Sequence, residues 1–345
     1  MRFVILLLLV AGACSRAETS EPVAQAPAAA TEEAEQSAEE APAEPPPEAA
    51  AAEDAQQDGA SPLGLKDLDA PPTVELLDPG KAPRKALRTT FEAGAKQSLR
   101  VESDWTLETV YGPLIQSKST MPSLVYLLQT EVKEATKERA RFALRVVKVT
   151  TQPRKEVQPA QAEAGKKAAG SLEGATGSFA INARGLLEEF TIDAASDASL
   201  IVSDMIDQIK QALRLASLPL PQEPVGKGAK WTATQVIEQR TAKIKQTSTF
   251  ELVGVKGEVV RATSTHAAEA PKQRLKLPGS REGASFKLDK VELSGESKGA
   301  WPLNQLGPKS ASEHTLSVLG MTATKPRHES VIMAVDTTLE VKTQR

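Results

Sequence analysis

The chain has 345 residues, with 42 Lys and Arg against 45 Asp and Glu, a net charge of −3 with its three histidines neutral. A single cysteine excludes an intrachain disulfide, and three Trp, two Tyr and seven Phe, spread thinly, leave little for an aromatic sugar-stacking platform and disfavour one. No nucleic-acid motif is present, and neither His266, His314 nor His328 stands in a metal-ligand spacing, so neither nucleic acid nor a metal or other cofactor is expected.

In chain order, Arg2 supplies a positive charge, Phe3 to Val10 an apolar run, and Ala11-Gly12-Ala13 small residues before Cys14. The run falls far short of the roughly 20 apolar residues of a membrane-spanning helix and reads as a cleaved signal over residues 1–14. With Cys14 at its end, the pattern resembles the lipobox of bacterial lipoproteins. That resemblance implies that Cys14 is acylated, and Ser15 after it implies sorting to the outer membrane. The implied partner is the membrane itself, reached through acyl chains, each buried CH₂ contributing ~0.8 kcal/mol. The globular part then lies in the cell envelope, with a periplasmic position expected and a surface-facing one left open.

Residues 15–68 read as a disordered, acidic Ala/Glu/Pro-rich tether. Up to residue 60 they hold twelve acids, one base (Arg16) and Val23 as the sole large aliphatic side chain. Such a stretch cannot bury enough apolar surface to offset chain entropy. Residues 61–345 hold 40 Lys and Arg against 33 Asp and Glu, a net of +7. A basic globule on an acidic leash points to an anionic envelope component as a second partner.

From residue 69 onward the pattern is β-rich. Leu99, Val101, Trp105 and Leu107 share one phase of a period-two alternation; Leu124, Tyr126, Leu128 and Val132 form a second, and Val331, Met333, Val335, Leu339 and Val341 a third. Turns at Glu92-Ala-Gly-Ala95, Ala183-Arg-Gly185 and Lys256-Gly257 suggest an antiparallel meander. Between Phe286, Leu288 and Val291, Leu293 the phase slips at Asp289–Lys290, as a β-bulge would cause. A helix is predicted over Asp197–Ser217, with Ile201, Met205 and Ile209 on its apolar face, Ser196 or Asp197 as cap, and Leu218-Pro-Leu-Pro221 as its stop. A weaker Ala-rich helix is predicted near 159–170. The expected fold is mainly β (α+β), with long antiparallel curved sheets covered by one or two helices, in one domain (69–345) or two halves (70–217 and 230–345).

The string Leu218-Pro-Leu-Pro-Gln-Glu-Pro-Val-Gly-Lys-Gly-Ala-Lys-Trp231 resembles one shared by poorly characterised envelope lipoproteins of Gram-negative bacteria, where it links a helix to the next strand. The resemblance implies no activity. Physically, the prolines end the helix, Gly226 and Gly228 permit positive φ, and Trp231 starts a strand and plugs the core. Gly295-Glu-Ser-Lys-Gly299 fits the G-x-S-x-G of serine hydrolases but lacks helical periodicity after it, and a polar turn is the better reading of Ser297. The expected function is therefore non-enzymatic binding of a hydrophobic or lipid-like envelope ligand, lined by Trp105, Leu128, Ile201, Met205, Ile209 and Trp231. The alternative is a scaffold with a solid core and a basic binding surface.

Overall fold

The computed structural model describes residues 70–113, 115–193, 199–239, 241–277, 280, 284–325 and 329–344. Cys14, the tether, Ser196, Asp197 and His328 lie outside them. The elements run β1 (Thr73–Asp78), β2 (Lys96–Tyr111), β3 (Ile115–Thr120), β4 (Ser123–Ala135), β5 (Arg139–Gln152), α1 (Pro159–Leu172), β6 (Thr176–Asn182), β7 (Leu187–Ile192) and α2 (Leu200–Ala216). Then follow β8 (Lys230–Gln239), β9 (Ala242–Lys256), β10 (Val259–Glu269), β11 (Gln273–Leu275), β12 (Ser285–Pro302), β13 (Ser310–Lys325) and β14 (Glu329–Gln344).

The fourteen strands among the described residues belong to one open antiparallel sheet in the order β1-β8-β9-β10-β12-β13-β14-β2-β4-β5-β6-β7, with β11 beside β12 and β3 beside β2. Two meanders, β2 to β7 and β8 to β14, are thus joined edge to edge where β14 pairs with β2. β1 leaves the first half and pairs with β8 of the second. The chain halves 70–217 and 230–345 therefore share one sheet.

Period-two alternation places these strands. In β4 every second residue from Leu124 to Val132 is buried, and the apolar phases of β2 and β14 likewise point inward. The register of β12 against β13 shifts between Leu288 and Lys290, the bulge expected at Asp289. The turns at Ala183–Gly185 and Lys256–Gly257 join neighbouring strands, the second with Gly257 at φ 59°. The Glu92–Ala95 turn does not, because β1 and β2 lie far apart in the sheet; Gly94 N–H instead donates to Val132 O at 2.8 Å.

Both predicted helices form, and α2 is the amphipathic one. Its cap is Ser199, whose hydroxyl accepts from Val202 N–H at 3.4 Å, and Arg214 sits in its last turn against the negative end of the dipole. α2 touches β7 at one end of the sheet and β13 and β14 in its middle. Just past it, Pro219 O accepts from Trp231 Nε1 of β8 at 2.8 Å, near the other end. A flat sheet cannot reach one helix from all three places, so the sheet curls around α2.

The Leu218–Trp231 string does link α2 to β8, and Trp231 is buried in the core, stacked on Phe250 with ring centroids 5.6 Å apart. Gly228 takes φ 81° as expected, but Gly226 has no positive φ. Its requirement is space: a Cβ there would collide with the Lys81 carbonyl, because segments 79–85 and 225–229 lie backbone against backbone.

Candidate functional site

The inward face of the sheet is not uniformly apolar. One buried cluster surrounds the helices and includes Leu128, Phe142, Met205, Ile209, Trp231, Leu252 and Val341. A second, including Ile244, Leu275, Phe286, Leu319 and Met333, fills the far end beneath β11. Between them the same inward phase turns polar: Gln246 and Ser248 on β9, Ser264 and His266 on β10, Ser297 on β12, and Glu313, Thr315 and Ser317 on β13.

Register brings these side chains into rows. Ser248 stands opposite His266, and His266 opposite Gly295. One step along, Ser264 stands opposite Ser297, and Ser297 opposite Glu313. The Ser297 and Ser264 hydroxyls are 2.6 Å apart, and Ser248 Oγ lies 2.9 Å from His266 Nδ1. His266 Nε2 lies 3.4 Å from both Ser264 Oγ and Glu313 Oε2. Ser297 is thus buried in the middle of a continuous strand, correcting the expectation of a turn. Gly295 and Gly299 flank it on the same face, where a Cβ would meet the His314 carbonyl or the Trp301 ring.

α2 roofs this belt and leaves a cavity of about 220 Å³. From α2, Asp204, Asp207, Gln208, Gln211 and Arg214 face the space; from the sheet come Gln235, Glu238, Ser248, His266, Ser297 and Glu313. Trp105, Phe250 and Trp301 supply aromatic wall. The exposed members, Asp207, Gln211 and Glu238, mark the mouth. Hydrogen bonds help hold the roof: Tyr126 hydroxyl donates to Gln208 Oε1 at 3.0 Å, and Trp301 Nε1 donates to Leu215 O at 2.8 Å.

Burial sets the protonation of this site. It lowers His266 to about 4, so the imidazole is neutral at physiological pH. It raises Glu313 to about 7 against the opposing pull of Arg214. Asp207, part of which reaches solvent at the mouth, is also raised, first by the partial desolvation of its carboxyl and then by Asp204, with Glu238 adding to it and Lys210 and Arg214 opposing. Among the described residues no group of three or more His, Cys, Asp or Glu side chains is arranged to hold a metal ion.

Of the six residues expected to line a ligand site, Trp105 lines this cavity. Leu128, Met205, Ile209 and Trp231 lie in the packed cluster around the helices, and Ile201 packs against it. The structure does not bring these five to the cavity, because the apolar residues of α2 make the close-packed contact and its polar flank faces the open space. His314 is exposed and pairs with Asp336 at 2.9 Å, away from the belt. Sequence reasoning missed Ser248, Glu313 and Gln235. Their one signal was that they occupy the buried phase of long alternating strands. No protein-family model matches the chain, and no curated protein matches it significantly.

Proposed function

We propose that the protein binds an amphipathic, lipid-like envelope ligand in the cavity beneath α2, without converting it, while anchored to the outer membrane through acylated Cys14. The observation that carries this reading is the cavity's composition, with aromatic wall from Trp105, Phe250 and Trp301 facing a belt of hydrogen-bonding side chains. Its 220 Å³ is room for about seven water molecules. It takes a head group and a short apolar stretch; the rest of a longer chain lies outside.

Ser248, His266 and Glu313 stand in the order of a nucleophile, base and acid, yet their setting favours binding. Ser248 pairs with Ala233 on one side and His266 on the other, so its strand's backbone groups belong to the ladder. No neighbouring pair of N–H groups is thereby left to steady a developing oxyanion. An imidazole held near 4 is also a weak base at neutral pH.

The test is native mass spectrometry with solvent extraction on protein purified from the envelope. A stoichiometric amphipath that disappears in Thr315→Phe, which fills the cavity, is the expected result. A ligand-free mass, with no uptake of short amphipaths added afterwards, would refute the proposal.

A further inference from the structure

The positive surplus of the domain gathers at one end of the sheet. Three chain segments meet there through backbone hydrogen bonds: Lys81 N–H donates to Lys227 O at 3.0 Å, Gly226 N–H to Pro79 O at 2.9 Å, and Gly228 N–H to Leu252 O at 2.8 Å. Strand register adds to the join, with Asp78 opposite Lys230 and Arg261 opposite Gly254. Residues 77–86 bring Lys81, Arg84 and Lys85, residues 225–230 bring Lys227 and Lys230, and residues 251–261 bring Lys256 and Arg261, all exposed. The same segments hold three acids, Asp78, Glu251 and Glu258. These 27 residues thus carry four of the seven surplus positive charges of residues 61–345. Among the described residues, Lys230 is the one cation of this group in an ion pair, with Glu251 at 3.6 Å.

A second observation is independent of charge. Among the described residues, the exposed large aliphatic side chains are Leu77, Val147, Val253, Val255, Leu316 and Ile332. Half of them, Leu77, Val253 and Val255, fall inside these segments, between 44% and 56% exposed. Val253 is the extra residue of a bulge in β9, between Leu252 opposite Ala262 and Gly254 opposite Arg261. Exposed aliphatic groups set among cations suit an anionic interface, where the apolar groups sink in and the cations meet the charged layer.

We propose that this end of the sheet docks on an anionic lipid bilayer, its cations facing phosphate head groups and Leu77, Val253 and Val255 entering the head-group layer. The proposal shares with the reading above only the envelope location and stands whatever the cavity binds. The whole chain is at −3, yet charges farther than about 10 Å are screened at 0.1 M salt, so local density decides. Eight residue steps of β8 separate Lys230 from Glu238, about 26 Å of strand. Docking at the Lys230 end therefore holds the acidic mouth of the cavity off the anionic surface.

The test is co-sedimentation of residues 15–345, which lack the acyl-bearing Cys14 and contain every described element, with vesicles of phosphatidylcholine alone or with about 30% phosphatidylglycerol. Binding is expected to the anionic vesicles only, and to vanish as salt rises from about 50 mM to about 500 mM. Lys81→Gln, Lys227→Gln and Lys256→Gln together should weaken it about a hundredfold, each cation near such a surface being worth about fivefold. Val253→Ser with Val255→Ser should weaken it by a smaller factor and leave its salt dependence as it is. Lys148→Gln, Lys166→Gln and Lys167→Gln together remove the same charge from exposed positions elsewhere and should have little effect. Binding to neither vesicle, or to both alike, overturns the proposal and leaves the cavity reading intact. Equal loss in the two triple variants also overturns it, since overall charge would then account for the binding. Retention by soluble heparin without vesicle binding would give the surface to a polymeric partner instead.

Discussion

Replacing Glu313 with Gln, and separately His266 with Gln, perturbs two touching groups whose proton affinities are displaced in opposite directions. His266 is lowered from 6.5 to about 4, so its contribution to stability is full above pH 6.5 and is lost as pH falls toward 4. Glu313 is raised from 4.5 to about 7, so its contribution is full below pH 4.5 and is lost as pH rises toward 7. Each displacement spans 2.5 units, worth about 3 kcal/mol. For Glu313 that is an upper figure, since its side chain keeps 23% of its surface accessible. Between pH 4.5 and 6.5 the pair carries one proton in both the folded and the unfolded chain, on Glu313 in the first and on His266 in the second. The two slopes cancel, and the wild-type profile is flat as far as this pair is concerned. The variants separate them. Relative to wild type, Glu313→Gln gains about 3 kcal/mol from pH 4.5 to 7, and His266→Gln gains about 3 kcal/mol from pH 6.5 to 4. Urea unfolding at half-unit pH steps, followed by tryptophan fluorescence, reads both difference curves, in which every other titrating group drops out. Difference curves parallel to the pH axis, or with slopes of the same sign against pH, would refute the assignment of both groups as neutral and buried.

Trp231→Ala removes a ring packed on Phe250 and the donor to Pro219 O, and should lower unfolding stability by about 3–5 kcal/mol in denaturant titration. Gly226→Ala forces a Cβ against the Lys81 carbonyl and should lower stability by about 1–3 kcal/mol, although glycine to alanine is ordinarily harmless where φ is negative. Ser297→Ala deletes one hydroxyl of the Ser264 pair and should reduce stability by about 1 kcal/mol while leaving ligand uptake in place. Cys14→Ser should move the protein from the membrane pellet to the soluble fraction after osmotic lysis; retention in the pellet at high salt would sink the anchor.

What the sequence made legible was local. The alternation around Tyr126 and Leu128, the phase slip at Asp289 and the apolar stripe of Met205 and Ile209 each depend on neighbours within a few residues, and each appears in the structure. The candidate site was illegible for a related reason. A period-two reading takes its phase from apolar residues, so Ser264, His266, Ser297 and Glu313 register as interruptions, although they continue the inward phase of Val260, Trp301 and Ala311. Gly295 and Gly299 strengthened that misreading by suggesting a turn, when their role is to leave room for a neighbouring carbonyl and the Trp301 ring. Helix phase has the same limit: the apolar side of α2, with Met205 and Ile209, lies in the buried cluster, while its polar flank faces the cavity. The β14–β2 and β1–β8 pairings join segments far apart in the chain, which no local pattern encodes.

The seam between β14 and β2 bears on when this domain can acquire its shape. Ser98 pairs with Gln344 and Tyr111 with Val331, so nearly the first long strand waits for the last. A chain emerging N-terminus first can assemble β2 to β7 early, but the middle of the sheet stays open until β14 has been delivered. Until then β2 and β13 are bare edges, the kind of surface that recruits foreign strands. If the chain is exported by threading, as the proposed envelope location requires, late closure is an asset during passage and a liability on arrival, most of all in the interval before residues 329–344 dock.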